Sequence, residues 1–377
     1  MARTLRPEEA RIDLTRLAAN YRAIEAAAGR PLMPVVKADA YGHGASRVAR
    51  FFESLGAPLL TVAFVEEGVS LRRAGARVPI VVMAGAGPGE AREMIDHALV
   101  PVVASPRSFE GALAAARLGP HPLSVHLKVD TGMSRLGFTP EDAVGVACRL
   151  RDGGLVLDGL MTHLASADED AVASAKQLDR FDAVLADLHR HGLRPQWVHV
   201  ANSAGLFHLR PSQTLVRPGL LLYGLQPRPL SPSLAVRPVM TLVGRVEMIR
   251  EVPAGTPVSY GGRWVAQTPA RLATVSVGYA DGVPRTEAMS KAGEVSIRGR
   301  RSPVRGVVCM DFTMVDVTDR PDVGEGDEVV VFGDDPTAWD VAQWAGTNAW
   351  QVLTSVGLRV PRVYVDDGQV VGVESRY

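Results

Sequence analysis

The sequence predicts an α/β protein with a (β/α)8 TIM-type barrel followed by a β-rich C-terminal domain. The chain has 377 residues, which exceeds one ordinary domain of about 100 to 200 residues. Short apolar segments alternate with amphipathic helical stretches through the first two thirds of the chain, as in repeated β/α units. From about residue 235, closely spaced Val-rich stretches around Gly and Pro replace this alternation. These observations predict two domains of different architecture.

Eight segments of the first part have strand character. Their near-continuous Val, Ile and Leu content is typical of strands that are covered on both faces. The predicted strands are 32–37, 58–64, 79–84, 99–103, 123–130, 155–163, 196–202 and 215–223. The helical stretches between them include 47–54, 66–73, 90–97, 106–118, 141–151 and 171–191. Eight units match a TIM-type barrel of about 250 residues. A doubly wound sheet is the competing fold, but the units show no clear reversal point.

The second part of the chain reads mainly as strands. The predicted strands are 240–252, 272–277, 304–309, 315–317, 328–332, 360–365 and 370–373. One helix, 338–346, interrupts them. Gly and Pro between short Val-rich runs are typical of turns in a β-rich domain.

Composition and charge exclude several classes of function. Lys+Arg and Asp+Glu number 41 each, so no bulk positive field attracts nucleic acid. No apolar run approaches the roughly 20 residues of a membrane span, and the start of the chain has no hydrophobic signal core. The sequence therefore predicts a cytoplasmic protein without nucleic-acid or membrane partners. Cys148 and Cys309 are too few for a disulfide framework and lack zinc-site spacing, so no metal is predicted.

Polar residues lie at the C-terminal ends of the predicted barrel strands, where barrel enzymes place catalytic groups. Lys37 closes the first strand, and desolvation there favours the free amine that a Schiff base requires. The alternative is a lysine that merely extends its side chain to solvent. The other polar residues at strand ends are Lys128, Asp130, His163, Asn202, Ser203 and Arg217. So many polar groups at one rim predict a functional site.

Seven motifs, in order along the chain, carry a resemblance to a known family. Residues 36–44, Val-Lys-Ala-Asp-Ala-Tyr-Gly-His-Gly, resemble the pyridoxal-phosphate lysine signature of alanine racemases. The other six motifs are 128–137, 201–205, 217–219, 276–282, 309–311 and 359–364. The resemblance covers nearly the whole chain. It implies a barrel over residues 12–234 that binds the cofactor and a β-rich domain over residues 235–377, which residues 1–11 join.

The resemblance implies a racemase that interconverts L- and D-alanine, with pyridoxal 5'-phosphate as cofactor. Lys37 is then the residue that holds the cofactor covalently and acts as the base on one face of the substrate. A racemase removes a proton on one side and returns one on the other, so it requires a second base. The resemblance assigns that role to Tyr260. A phenol has an ordinary pKa near 10, and the implied supports of its anion are His163 and Arg217.

Arg217 resembles the family's arginine that faces the pyridine nitrogen of the cofactor. A guanidinium only donates hydrogen bonds and stays charged, so the ring nitrogen should remain unprotonated. The ring is then a weaker electron sink, which disfavours side reactions such as transamination.

The same motifs imply further site residues. Those that match contacts to the cofactor are Tyr41, His163, Asn202, Ser203, Arg217, Gly219 and Tyr364, of which Tyr41, Ser203, Gly219 and Tyr364 match phosphate contacts. Those implied to bind the amino-acid substrate are Arg135, Met310 and Asp311, and the supporting residues are Lys128, His199, Tyr279 and Cys309. Lys128 resembles a lysine that is often carbamylated in the family. The alternative is a neutral or cationic Lys128 paired with Asp130.

Two departures from the family pattern concern the entrance of the site. Val307 stands where the family commonly has an arginine, and Trp350 and Gln351 stand where a tyrosine and a glutamate are usual. Asp168 would then face an entrance without its usual arginine partner. One methylene usually discriminates by only about 1 to 3 kcal/mol in an apolar pocket, so serine or a longer amino acid is an alternative substrate.

The resemblance also implies a cytoplasmic homodimer that supplies D-alanine for peptidoglycan precursors. Tyr260, Met310 and Asp311 of one subunit would complete the barrel site of the other. Two other hypotheses stay open: a barrel-type pyridoxal-phosphate lyase or decarboxylase, and a regulatory protein that carries the cofactor. Tyr260 as a second base and Arg217 at the ring nitrogen argue against a lyase. The second domain argues against the regulatory protein, in which it would have no purpose.

Overall fold

A computed structural model describes residues 6–227 and 234–375 of the chain. Residues 1–5, 228–233, 376 and 377, which belong to the domain ranges predicted above, lie outside the described residues. The division between residues 234 and 235 stays a prediction.

The first part of the chain alternates strands and helices. In chain order its elements are β1 (Glu9–Asp13), α1 (Leu14–Ala28), α2 (Lys37–Gly42), α3 (Ala45–Ser54), β2 (Leu60–Val62), α4 (Val65–Arg73), β3 (Ile80–Val82), α5 (Ala91–Asp96), β4 (Leu99–Val103), α6 (Pro106–Leu118), β5 (Ser124–Lys128), α7 (Pro140–Asp152), β6 (Val156–Met161), α8 (Ala171–Arg190) and β7 (Trp197–His199). Short 3-10 turns lie at Pro88–Glu90 and Ala204–His208.

The second part is built mainly from strands. Its elements are β8 (Met240–Val252), β9 (Pro257–Val258), β10 (Trp264–Val265), β11 (Ala270–Val275), α9 (Glu287–Ala292), β12 (Glu294–Ile297), β13 (Arg300–Pro303), β14 (Thr313–Asp316), β15 (Glu328–Phe332), α10 (Ala338–Ala345), α11 (Ala349–Thr354), β16 (Arg362–Asp366) and β17 (Gln369–Glu374). A 3-10 turn lies at Tyr260–Gly262.

Helix boundaries in the barrel follow local capping chemistry. Helix α6 begins after Ser105, whose side chain accepts a hydrogen bond from the backbone N–H of Ser108, and Pro106 occupies its first position. Helix α7 begins in the same way after Thr139, with Pro140 in the first position. A side-chain oxygen at the cap satisfies a backbone donor that the helix leaves free, and proline has no N–H to lose there.

Strands β2 to β7 form a parallel sheet in sequence order, and two extended segments close it into a ring. Leu32 forms a parallel bridge with Val216, and Val35 forms one with Thr61 in β2. The N–H of Arg217 donates to the carbonyl of Ala201, just after β7, at 2.9 Å. The ring confirms the predicted barrel fold class.

The predicted strands 32–37 and 215–223 need correction, because these two segments pair only through isolated bridges. Pro34 and Pro218 lack the N–H that a continuous ladder requires. In addition, Lys37 begins α2, and turns replace the strand after Pro218. Both segments therefore end early, and the residues that follow them are free to line a site.

The C-terminal part forms a sheet in which β13, β12, β15, β8, β1, β16 and β17 follow one another, while β11 pairs with β8 and β14. Strand β1, from the start of the chain, lies between β8 and β16, antiparallel to the first and parallel to the second. The predicted strand 304–309 is wrong beyond Val304, which forms a single bridge with Val315. Gly306 has a positive φ of 74° and turns the chain there.

Two buried clusters form the core that positions the site. A large one packs helices against both sheets. A smaller one gathers side chains contributed by segments around the ring, as in the filled interior of a barrel. Its buried members are Met33, Leu59, Val81, Val102, Ala104, Met161 and Leu215. The interior is thus packed, and any site must lie at an end of the barrel.

Candidate active site

A cavity of about 430 Å³ opens at the C-terminal end of the barrel strands. The predicted site residues that line it are Lys37, Tyr41, Arg135, His163, Asn202, Ser203, Arg217 and Gly219. Each lies beyond a strand or a strand-like segment: Arg135 follows β5, His163 follows β6, and Ser203 follows β7. The structure therefore brings together eight residues that are spread over the barrel sequence.

Lys37 and Tyr41 are held by an unusual turn, α2. Ala38, Asp39, Ala40 and Tyr41 have φ values between 51° and 55°, the left-handed region, which costs roughly 1 to 2 kcal/mol per non-glycine residue. Such strain persists only where the surroundings fix it, and it is concentrated at functional sites.

Three side chains fix this left-handed turn. The Glu67 carboxylate accepts from the backbone N–H of Ala38 at 2.7 Å. The Asp39 carboxylate accepts from the N–H of Ala45 at 2.8 Å, and Nδ1 of His43 lies 3.0 Å from the carbonyls of both Ala40 and Tyr41. Nδ1 of His43 must therefore carry a hydrogen, because carbonyl oxygens only accept.

The electrostatics of the cavity favour a neutral amine on Lys37. Burial lowers the pKa of Lys37, and the nearby charge of Arg135 lowers it further, while Glu67 opposes both effects. Burial, Arg135 and Arg217 lower the pKa of Lys128, at the end of β5, to about 8. A lysine with a lowered pKa is more often uncharged at neutral pH and is then a nucleophile or a base. The clustered cations also suit an anionic ligand.

Arg217 is a fully immobilised cation on one side of the cavity. Its side chain is 2% exposed, and Nη1 donates to the carbonyl of His199 at 2.6 Å and contacts Nδ1 of His199 at 2.8 Å. Nη2 donates to the carbonyls of Thr162 and Val200 at 2.8 and 3.0 Å, and it lies 3.4 Å from Nδ1 of His163. Burial lowers the pKa of Arg217 to about 9, so the group is still charged at neutral pH.

The predicted pair of His163 and Arg217 is thus present. Burial, followed by the charge of Arg217, lowers the pKa of His163 well below its ordinary value, so His163 is neutral at pH 7. Asn202 lies against the other side of the ring, with Nδ2 3.4 Å from Nε2 of His163. The neutral imidazole lies between a cation and an amide, and either ring nitrogen can hold a proton.

Hydroxyl and backbone donors meet at another side of the cavity. Oγ of Ser203 accepts from the N–H groups of Gly219 and Leu221 at 3.0 and 3.3 Å. A Cβ on Gly219 would lie 2.8 Å from the Tyr41 hydroxyl, so only glycine lets the chain approach this ring. Backbone N–H groups and hydroxyls are the donors that phosphate groups prefer. Because both N–H groups donate to Ser203, the hydroxyls of Ser203 and Tyr41 are the donors that this corner offers to an anionic group such as a phosphate.

Several predicted site residues lie outside this cavity. Tyr260 is 65% exposed and lines a separate groove of about 810 Å³ together with Arg263, Arg285, Lys291 and Arg305. Val307, the residue at the first departure from the family pattern, lines the same groove. A single chain therefore does not bring Tyr260 to Lys37.

The remaining C-terminal residues of the prediction lie in the second part of the chain. Met310 is half exposed, and Asp311 forms an ion pair of 2.7 Å with Arg359. Sγ of Cys309 lies 3.6 Å from Oγ of Ser259, and Arg285 lies over the ring of Tyr279 at 5.4 Å.

Tyr364, which the resemblance implies as a phosphate contact, is not among the residues that line the cavity. It is buried in β16, and its hydroxyl donates to the Glu374 carboxylate at 2.8 Å. Its ring packs beside Gly44, where a Cβ would collide with the hydroxyl. The Tyr364 side chain therefore lies between β17 and the start of α3, and its phosphate contact stays a prediction.

Comparison with known proteins identifies the family of the chain. The family model for the alanine racemase N-terminal domain matches residues 12–227. The family model for the alanine racemase C-terminal domain matches residues 239–364. The chain belongs to the alanine racemase family. The resemblance given by the seven motifs is thereby confirmed, and so is the prediction of an isomerase.

Individual members of the alanine racemase family match over almost their full length. The alanine racemase of Halothermothrix orenii is 41% identical over 375 residues, which are 96% of this chain and 98% of that protein. The solved alanine racemase of Clostridium difficile 630 superposes with a TM-score of 0.93 at 32% identity, covering 99% of both chains. That of Streptomyces lavendulae, a D-cycloserine producer, superposes with a TM-score of 0.90 at 38% identity, covering 96% of this chain and 98% of that one.

Some residues of this racemase-family cavity were not predicted as site residues. They are Val35, Ala38, Met83, Ala204, Leu220, Pro227 and Thr354. Thr354 lies on α11 together with Trp350, which also lines the cavity, as does Asp168. A helix from the far end of the chain thus closes the barrel cavity, and no local signal in the sequence marks that approach.

Two other kinds of feature are absent from the described parts of the chain. Residues 6–227 and 234–375 contain no helix long and apolar enough to cross a membrane. Over the same ranges, no group of three or more His, Cys, Asp or Glu side chains is placed to hold a metal ion.

Proposed function

We propose that this chain racemises alanine, interconverting its L and D forms with pyridoxal 5'-phosphate and two bases, Lys37 and Tyr260. The observation that carries the proposal is one cavity that joins the Lys37 amine, the buried Arg217 and the Tyr41, Ser203 and Gly219 corner. An amine, a fixed cation and a phosphate-type corner are the groups that this cofactor needs for its aldehyde, its ring nitrogen and its phosphate.

The donor set of the cavity fits pyridoxal phosphate. Lys37 is the buried amine for covalent attachment, and burial and Arg135 lower its pKa, which favours the neutral, nucleophilic form. When bound, the cofactor supplies an electron-accepting ring that acidifies the α-hydrogen of an amino acid. Arg135, which also lines the cavity, is the cation available to the substrate carboxylate.

Arg217 makes the site more suitable for racemisation than for other reactions of this cofactor. The hydrogen-bond partners of Nη1 and Nη2 are carbonyl oxygens and histidine ring nitrogens. A guanidinium has no proton to give to a ring nitrogen at neutral pH and accepts none. Arg217 would therefore leave the ring nitrogen of a bound cofactor unprotonated, which would favour return of the α-proton over transamination.

Tyr260 would act from a second subunit. Lys37 takes or returns the proton on one face of the α-carbon, and Tyr260 does so on the opposite face, next to His163 and Arg217. The exposed position of Tyr260 in a separate groove supports a homodimer in which the groove of one chain covers the barrel cavity of the other. Met310 and Asp311 would reach the substrate in the same way.

Lys128 is proposed to carry a carbamate. Its lowered pKa, about 8, leaves some neutral amine at pH 7, and only the neutral amine adds carbon dioxide. The resulting anion would balance the cations of Arg135 and Arg217. Growth or incubation with ¹³C-bicarbonate should give a carbamate carbonyl resonance in the wild type that the Lys128→Ala protein lacks.

Chiral analysis of the products tests the function directly. The purified, cofactor-loaded protein is incubated separately with L-alanine, D-alanine, L-serine and an amino acid with a longer side chain. We expect both alanine enantiomers to reach a 1:1 mixture, and no conversion by Lys37→Ala protein. Racemisation of serine at a similar rate would support the broader substrate range, for which Trp350 in the cavity wall is the structural candidate. Release of carbon dioxide or of an aldehyde without racemisation would show a decarboxylase or a lyase instead.

A further inference from the structure

Two histidines fill the barrel interior directly behind Arg217. His126 lies in β5 and His199 in β7, and both side chains are completely buried. Nδ1 of His126 lies 2.9 Å from Nε2 of His199, and their ring centroids are 4.9 Å apart. His126 does not line the cavity and has no role in the proposed chemistry.

The contact between His199 and Arg217 fixes where the hydrogens are. Nη1 of Arg217 lies 2.8 Å from Nδ1 of His199, and a guanidinium can only donate, so Nδ1 of His199 must accept. A neutral imidazole carries one hydrogen, which is then on Nε2 of His199 and points to Nδ1 of His126. His126 accepts it and carries its own hydrogen on Nε2.

Both rings are held neutral by their surroundings. Burial and the charge of Arg217 lower the pKa of His199 well below its ordinary value, and the same causes lower the pKa of His126 to about 3. A charged form, in which both ring nitrogens donate, is therefore excluded at neutral pH. The single remaining arrangement is a chain of donors that runs from Arg217 through His199 to His126.

The barrel is built to admit the His126 ring. Gly159 of β6 lies against it, and a Cβ at this position would overlap the ring. Gly159 is not one of the glycines with a positive φ. Glycine is therefore required here by the lack of space for a Cβ and not by the backbone conformation. Asp158, the residue before it, places Oδ2 3.9 Å from the Nε2 of His126.

We propose that His126 is a positioning residue for Arg217. By accepting the Nε2 hydrogen of His199, His126 keeps His199 in the form whose Nδ1 accepts from Arg217, and so it aims the guanidinium into the cavity. The effect on catalysis rests on the proposed racemase function, whereas the hydrogen positions do not. A buried histidine that only fills space would leave the His199 tautomer unchanged when replaced.

Substitution by two residues of similar size separates the two roles. His126→Asn provides an amide oxygen close to the position of Nδ1, so it can still accept from His199. His126→Leu fills the same space without an acceptor and leaves the Nε2 hydrogen of His199 unpaired. Neutron crystallography of the deuterated wild type and both variants, without and with cofactor, reads the hydrogen position directly.

We expect deuterium on Nε2 of His199 in the wild type and in His126→Asn. In His126→Leu we expect either that the deuterium of His199 is on Nδ1 or that the Arg217 guanidinium has moved away from Nδ1 of His199. The kcat for racemisation should fall about tenfold or more in His126→Leu with little change in KM, and stay within about threefold of wild type in His126→Asn, as for other residues that orient a site through a second residue. Gly159→Ala, which pushes the ring without removing a polar group, should behave like His126→Leu.

Deuterium on Nδ1 of His199 in the wild type would overturn the proposal even if no variant folds. So would a His126→Leu protein whose His199 tautomer, Arg217 position and kcat match those of His126→Asn. If the wild type racemises no amino acid but shows the expected tautomers, the proposed function fails and the positioning by His126 stands.

Discussion

Lys37 and Tyr260 line two different surfaces of the same chain. Lys37 lies in the barrel cavity, whereas Tyr260 lies in a groove of the C-terminal part. The groove and the barrel cavity have no lining residue in common. A two-base reaction needs both groups at one carbon. If the proposed function is correct, the bases must come from two chains.

Subunit exchange tests this arrangement. Lys37→Ala and Tyr260→Phe proteins should each be inactive, but a mixture that exchanges subunits should recover about a quarter of wild-type activity. In a random mixture about half of the dimers are heterodimers, and each has one site with both bases and one with neither. Activity is measured after mixing, and heterodimers are verified by differential tagging. Verified heterodimers without activity would place both bases in one chain.

Tyr260→Phe should separate the two faces of the substrate. The variant should bind the cofactor as the wild type does, because Tyr260 is not one of the residues proposed to hold the cofactor, but racemisation should fall by about 100-fold or more, the usual contribution of a general acid or base. Exchange of the α-hydrogen with deuterated solvent, followed by NMR, should persist for one enantiomer through Lys37. Persistence of racemisation at the wild-type rate would mean that another group is the second base.

Gly219→Ala should weaken cofactor binding through a clash with Tyr41. The added Cβ would lie 2.8 Å from the Tyr41 hydroxyl, and overpacking of this kind costs about 1 to 3 kcal/mol, which corresponds to roughly fivefold to 150-fold in affinity. The cofactor Kd is measured by titration of the apoprotein. In the double variant with Tyr41→Phe, the effect of the alanine should become smaller, because the hydroxyl is gone and the nearest remaining ring atom, Cζ, lies 3.3 Å from the added Cβ. An equal effect in both backgrounds would show that the clash is not the cause.

The buried histidines should make the fold sensitive to mild acid. Burial lowers the pKa of His43 and of His126 to about 3, whereas an unfolded histidine has a pKa near 6.5. Between these values the unfolded chain binds more protons, so the free energy of unfolding is largest above about pH 6.5 and falls as the pH drops towards 3. Each histidine contributes on the order of 1 kcal/mol per pH unit in this range.

His126→Asn isolates one of these contributions. Urea unfolding at pH 7, 6 and 5, with protein and cofactor concentrations held constant, should show a shallower pH dependence for this variant than for the wild type. The exposed His121 provides the control, since His121→Asn should leave the pH dependence unchanged. Identical slopes for His126→Asn and the wild type would contradict the expectation.

The local pattern predicted the long, strongly apolar elements well. The predicted segments 99–103, 106–118, 240–252 and 328–332 coincide with β4, α6, β8 and β15, because continuous apolar runs and a Ser-Pro cap are strong local signals. The hairpin of β12 and β13, by contrast, was not predicted. Its strands have only four residues each, and β13 begins with Arg300 and Arg301, so their strand state depends on pairing with each other and with β15.

The left-handed turn after Lys37 was likewise beyond local reasoning. Ala38 to Tyr41 contain no glycine, and their intrinsic preference is right-handed. Glu67, 29 residues along the chain from Ala38, is one of the groups that reverse it. A contact at that separation overrides propensity only after the barrel has formed.

The sequence by itself determined the fold class, the family and the chemical character of the cavity, since Lys37, Ser203 and Arg217 lie in ordered family motifs. Only the tertiary structure decided which of the implied residues meet. It brought Thr354 to the barrel cavity, left Tyr260 in a separate groove, and set His126 behind His199 and Arg217. The physical reason is that side-chain identity and periodicity are local properties, whereas contact, burial and hydrogen position depend on segments that are distant in sequence and are joined only by folding.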